Sequence, residues 1–139
     1  MASLIYDSFW DDLSRGAIDM DTDTFYAILT TSSYSENKKT HTKRSDVTNE
    51  LSTGSGYTAG GAASAVTVTK TTATDQQTFT FAAVSWTSFT GTARKAVYFK
   101  QRGGASSADE LVAVNDFGSD VTVTASTLTV AASTITIQN

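Results

Sequence analysis

The sequence predicts an all-β protein, an antiparallel β-sandwich or jelly roll with a short N-terminal helix and a long basic loop. Three observations carry this expectation. Thr78, Thr80 and Ala82 alternate with Phe79, Phe81 and Ala83, the period of two that a half-buried strand imposes. Lys95 to Lys100, KAVYFK, is an apolar run bracketed by lysines, as expected for a strand buried on both faces. Finally, the chain has no proline and its second half is rich in threonine and valine, with short strand-like runs separated by Gly, Ser, Asp and Asn. Trp86, Phe89 and Gly91 lie in a polar stretch between the two runs, and the spacing predicts that the runs pair antiparallel across it.

Taken in order, Leu4 to Arg15 places Ile5, Phe9, Trp10 and Leu13 on one helical face, and Gly16 is a natural stop. So short a helix needs something to dock on. It either closes one end of its own sheet or, as an arm over residues 1–16, docks on a neighbouring subunit. Asp19, Asp21 and Asp23 open like a calcium loop, but Thr24 and Thr30 stand where such a loop needs Gly and Glu, so a solvated turn is expected. Thr24 to Thr31 then reads as a core strand.

From residue 32 to 61 the apolar periodicity dissolves into an extended loop without core residues. Lys38, Lys39, His41, Lys43 and Arg44 form a basic run within it. Segments of this length inside a compact domain are functional or disordered. Asp46 to Leu51 suits a single helical turn capped by Asp46 or Ser45. Gly54, Gly56, Gly60 and Gly61 precede a strand over Ala65 to Thr72 rather than a helix, so they read as turn and bulge residues and not as a phosphate cradle. Arg102 to Asp109 reads as a flexible loop, Glu110 to Phe117 as a strand ending in a turn at Gly118 to Asp120. The tail reads as three short strands carrying Val121/Val123, Leu128/Val130 and Ile135/Ile137. About eight or nine strands result, within the range of a two-sheet sandwich.

At 139 residues the chain suits one domain able to bury ~68% of its unfolded surface. With no cysteine there is no disulfide or thiol nucleophile, and a single histidine gives a multi-histidine metal site little to work with. The net charge of −4 argues against a dedicated nucleic-acid binder. No apolar run approaches the ~20 residues of a membrane span, and no basic region followed by an apolar core marks a signal peptide. The expectation is a soluble protein made and kept in the cytoplasm, or released with whatever it is built into. The adjacent pairs Asp11–Asp12 and Asp109–Glu110 are weak support for acid–base work, since neighbouring carboxylates usually point apart. Trp10, Trp86, Tyr34 and Tyr57 are candidate sugar platforms, though nothing in their spacing separates that role from core or interface packing.

The order of motifs carries a resemblance. An amphipathic N-terminal segment precedes FYAILTTSSY (25–34) and SDVTNELSTGSGYTAGGAA (45–63). VSWTSF (84–89), ARKAVYFK (93–100) and LVAVNDFGSDVTVTASTLTV (111–130) follow. This order resembles the small virion structural proteins of tailed bacteriophages, of the capsid cement or decoration type. The resemblance implies a non-enzymatic protein that binds the outside of a capsid and stabilises it, with the major capsid protein and further copies of itself (a dimer or trimer) as partners. Neither nucleic acid nor membrane, and no cofactor, metal or catalytic residue, is implied. Its place would be the capsid surface of a virion, after synthesis in the host cytoplasm. A neck, tail or head-fibre component is the alternative within the family, and a virion-surface carbohydrate-binding module the alternative outside it. The KKTHTKR run is more basic than the family pattern. Lys38, Lys39, His41, Lys43 and Arg44, with Phe9 and Trp10 of the helix, are therefore the candidate partner contacts.

Overall fold

The computed structural model describes residues 2–139. Strand β1 (Leu4–Ile5) and helix α1 (Asp7–Ser14) are followed by β2 (Phe25–Thr30), β3 (Ala62–Ala63), β4 (Val66–Thr71) and β5 (Gln76–Phe81). Two long strands, β6 (Val84–Lys100) and β7 (Leu111–Val130), precede β8 (Ser133–Gln138). They form two antiparallel sheets, β1-β7-β6-β2-β3 and β4-β5-β8, packed as an all-β sandwich. Each sheet has the alternation that its place demands. In β5, Phe79 and Phe81 face the core and Thr78 and Thr80 the outside.

The pairing differs from the sequence expectation in two respects. The runs around Phe79–Phe81 and Lys95–Lys100 do not pair, because they lie in opposite sheets. β5 sits between β4 and β8, whereas Lys95–Lys100 pairs with β2 and β7. The polar stretch between them belongs to β6 itself, which runs from Val84 without a break. Likewise, Gly118–Asp120 and Ala125–Ser126 do not reverse the chain. They are absorbed into the single strand β7, whose ladder with β6 shifts register near Phe89 and between Ala93 and Lys95. Ser88 (φ 51°), Gly118 (φ 82°) and Ala125 (φ 44°) take the positive φ of bulge residues. Polar and glycine interruptions thus bend a long ribbon where separate turns were expected.

The five-stranded sheet is covered on both faces. Between the sheets lie Phe25, Ala27, Leu29, Phe79, Phe81, Trp86, Phe89, Tyr98, Leu128 and Val130, with Phe9 of the helix. Phe25 meets Phe81 edge-on at 5.8 Å, a favourable aromatic geometry. The opposite face carries Tyr6, Ile28, Val97, Phe99, Leu111 and Val114, and Tyr34 from the 32–61 segment closes over it. That segment is therefore no free loop without core residues. Tyr34 and Tyr57 are fully buried, and Val47 and Leu51 pack partly against the clusters. Its helical turn falls at Arg44–Asp46, slightly before the expected place, with Asp46 accepting the Thr42 and Lys43 N–H groups.

The glycine-rich end of the segment is a packed knot. Tyr57 Oη donates to Glu50 Oε1 at 2.8 Å and accepts the Leu29 N–H, while the Gly60 N–H also reaches Glu50 Oε1. Gly61 (φ +77°) lies so close to β2 that a Cβ there would overlap the Ala27 carbonyl. At Gly56 (φ +86°) a Cβ would likewise stand too close to the Ser88–Phe89 backbone, 2.5 Å from the Ser88 carbonyl oxygen. The glycines are turn residues, as read, and two of them are also close-approach residues.

If the segment is the second cover of the sheet, weakening the apolar surface beneath it will loosen it. Phe99→Ala is expected to destabilise by about 3–5 kcal/mol, read as a lower midpoint in denaturant. Amide exchange around residues 34–47 should accelerate more than exchange in β4 and β5. Uniform acceleration across both sheets would show that the segment has no separate dependence on Phe99.

Candidate partner-binding face

The N-terminal segment is spent largely inside its own subunit. Leu4 and Ile5 pair with Val114 and Ala113 of β7, so Ile5 belongs to a strand and not to the helical stripe. The helix starts only at Asp7 and stops at Gly16 (φ 76°). Phe9 is fully buried and meets Phe79 edge-on at 6.4 Å, which corrects its expected role as a partner contact. The helix closes its own sandwich rather than reaching out as an arm. Trp10, one step around the helix, is 37% exposed.

The basic run divides in the same way. Arg44 lies 2.8 Å from Asp109, a carboxylate with no exposed surface, and its guanidinium stacks over the Phe99 ring at 5.0 Å. Lys43 pairs with Glu110 at 3.3 Å, and Arg102 grips the same carboxylate with two nitrogens. Backbone bonds from Arg44 N–H to Asp109 O and from Leu111 N–H to Thr42 O stitch the run to the start of β7. Burial pushes the Glu110 carboxyl up, but Arg102 and Lys43 outweigh it and hold it below the ordinary carboxylate range. The adjacent pair Asp109–Glu110 is thus an anchor gripped by cations. Its members are not free acids or bases.

His41 is also engaged at home. Its ring stacks on Tyr34 at 5.8 Å, and its Nδ1 accepts the Asn37 N–H, which leaves the ring proton on Nε2. Tyr34 Oη donates to the same nitrogen at 3.1 Å, and Tyr6 Oη donates to Tyr34 at 2.7 Å. Burial pushes the Tyr34 hydroxyl up to about 12 and raises Tyr6 further. Lys95, buried beneath the segment, donates to the Tyr34 carbonyl and to Glu36. His41, Lys43 and Arg44 therefore hold the segment down on their own subunit.

Trp10, Lys38 and Lys39 remain at the surface, and the fold brings the first two together. The Asp7 N–H donates to the Lys38 carbonyl at 3.0 Å, and the Lys38 ammonium stands 3.4 Å from the exposed Asp7 carboxylate. Trp10 and Lys38 share a shallow dent of about 350 Å³ with Leu4 and Ile5. The helical spacing marks Ile5 for the wrong element and no local pattern marks Leu4, because the exposure of both depends on the strand that β1 joins. The indole, the Lys38–Asp7 pair and the partly exposed Leu4 and Ile5 give this surface a mixed apolar and charged character.

Other candidate chemistry finds other employment. Trp86, Tyr34 and Tyr57 are buried, so none offers a ring face to a sugar. Asp19 Oδ1 accepts the Asp21 and Thr22 N–H groups, while Asp23 binds the Asp19 N–H and the Lys100 ammonium at 2.7 Å. A lysine thus supplies the positive charge beside that turn. Among the described residues no three His, Cys, Asp or Glu side chains gather as metal ligands, and no helix is long and apolar enough to cross a membrane. Asp11 pairs with Arg15, away from Asp12.

Two consequences are measurable. Arg44→Ala leaves Asp109 buried without its cation and is expected to cost about 3 kcal/mol of stability, whereas Lys39→Glu should leave the thermal midpoint unchanged. Glu110, Asp46 and Asp116 all titrate below their ordinary values when folded. Their contribution is complete above the unfolded carboxylate range and is lost as pH falls through the lowered folded values. Asp12, raised by burial, opposes them weakly. The thermal midpoint should therefore fall as the pH drops below about 4.3, and Glu110→Gln should flatten that fall. A midpoint independent of pH down to 3 would contradict the anchor.

Comparison of the chain with protein-family models, with curated proteins and with solved structures finds no match in any of the three.

Proposed function

We propose that this chain is a non-enzymatic structural protein of a bacteriophage virion that binds the outer surface of the capsid and stabilises it. The order of motifs supports the family reading. The observation that carries the binding role is the meeting of Trp10 and Lys38, residues from separate stretches, on one exposed dent, with Lys39 the next residue in the chain. A sandwich whose helix and long segment are both fastened down offers a rigid contact surface with little ordering cost on binding. A protein that binds only the assembled lattice stabilises it by mass action, in proportion to its occupancy. The contact is narrower than the sequence suggested, since the indole and two ammonium groups replace a whole basic arm. Jelly-roll topology, self-association and residence on the capsid surface belong to the same proposal.

The test is occupancy on purified shells that lack the protein. Wild-type protein should bind, raise the shells' resistance to heat, and bind less as salt increases. Trp10→Ala and the pair Lys38→Glu, Lys39→Glu should each weaken binding at least tenfold, about 1.4 kcal/mol, with unchanged thermal midpoints of the free protein. Binding with full heat protection by both variants would reject this face. Shells equally heat-resistant with and without the wild-type protein would reject the stabilising role.

A further inference from the structure

Histidine is the side chain whose charge ordinarily changes between about pH 5 and 8, and this chain has one. His41 closes the turn over residues 37–41. Its backbone N–H donates to the Asn37 carbonyl at 3.0 Å, and its Nδ1 accepts the Asn37 N–H at 3.2 Å. The Asn37 side-chain oxygen accepts the Lys39 and Thr40 N–H groups at 3.1 and 3.2 Å, so Asn37 is the hub of the turn. The same turn carries the Lys38 carbonyl that takes the Asp7 N–H at the start of α1. His41 is half-buried, within reach of water and its protons.

Only the uncharged ring can close the turn in this way. A proton on Nδ1 turns that nitrogen from acceptor into donor. The Tyr34 hydroxyl, 3.1 Å away, adapts, because it can rotate and accept. It then donates to Tyr6 Oη, the reverse of the present bond, and the buried Tyr6 hydroxyl loses its acceptor. The Asn37 N–H cannot adapt, since a backbone amide nitrogen only donates. It meets the new proton head-on and has to withdraw to water, which the exposed position of Asn37 allows. The charged groups around the ring are mostly spent on one another. Lys38 is paired with Asp7, Lys43 with Glu110, Arg44 with Asp109, and Glu36 with Lys95 of β6, whose ammonium lies over the Tyr34 ring at 5.7 Å. Lys39 stands exposed in solvent. Asp46, kept ionised by the Thr42 and Lys43 N–H groups, is the carboxylate left to attract an imidazolium.

We propose that His41 is a proton-sensitive latch on the 37–41 turn. As a neutral ring it shuts the turn and holds the Lys38 carbonyl on the start of α1. As a cation it sheds Asn37, and the turn opens to water while Lys95 keeps its hold on the Tyr34 carbonyl beneath. Lys38 then leaves its place beside Trp10. The latch consists of bonds within the free protein, so it stands or falls apart from the capsid-binding reading. What it adds to that reading is a contact face assembled near neutral pH and dispersed in mild acid.

The test is magnetic resonance of the isotope-labelled full chain, titrated from about pH 8 to about pH 5. The carbon-bound ring protons of His41 report its charge, and amide exchange at Asn37 and Asp7 reports the turn. Protection of those two amides, measured against the unstructured chain at the same pH, is expected to fall about tenfold or more in step with the ring signal. The amides of β2 and β6 should keep theirs. His41→Asn sets an amide oxygen close to where Nδ1 stands and takes no proton in this range, so it should keep both amides protected throughout. A ring that titrates while both amides stay protected would overturn the latch. So would a ring that keeps one charge across the range, or an equal loss of protection in His41→Asn. The wild-type titration decides the matter even where the variant fails to fold. Failure to bind capsids by a protein with an intact pH response would reject the capsid reading and leave the latch in place.

Discussion

The outer face of the five-stranded sheet has to be kept from water, and much of the structure follows from that need. Ile28, Val97, Phe99, Leu111 and Val114 line it, and each such side chain is worth roughly 1.5–3 kcal/mol when buried. No second sheet is available there, because β4, β5 and β8 cover the other face. The cover is the polar segment between β2 and β3, which brings little apolar surface beyond Tyr34 and Val47. It is held by charge and hydrogen bonding: Arg44 on Asp109, Lys95 on Glu36 and the Tyr34 carbonyl, and the Tyr6–Tyr34–His41 relay. Arg44 joins both functions, since its guanidinium pairs with a carboxylate and sits over the Phe99 ring.

The strands were legible wherever their signal is local. Val66–Thr71 and Gln76–Phe81 fall where the alternation of valine, threonine and phenylalanine put them, Phe25–Thr30 lies within the core strand read over Thr24–Thr31, and the buried character of Lys95–Lys100 was evident from its unbroken apolar run. Pairing was not legible, because alternation states which face is buried and not which strand lies beside it. Phe79 and Tyr98 therefore belong to opposite sheets although their runs are neighbours in the chain. Gly118 and Ala125 read as turn positions because a bulge and a turn ask for the same backbone freedom; only a long partner strand decides between them. The 32–61 segment read as empty because two well-separated tyrosines have no period.

For the candidate site the sequence named Trp10, Lys38 and Lys39 but could not join helix to loop, since the bond from the Asp7 N–H to the Lys38 carbonyl spans distant parts of the chain. It also could not discount Arg44, whose acid lies 65 positions away. A run of basic residues suggests a positive surface only to the extent that the fold leaves its charges unpaired. Here Asp109 and Glu110 neutralise Arg44 and Lys43 in surroundings where the pairing is strong, while the exposed Lys38–Asp7 pair contributes little. The interior ion pairs fix the segment, and that fixation places Lys38 beside Trp10. The charges spent inside the subunit thus determine where the exposed Lys38 is held.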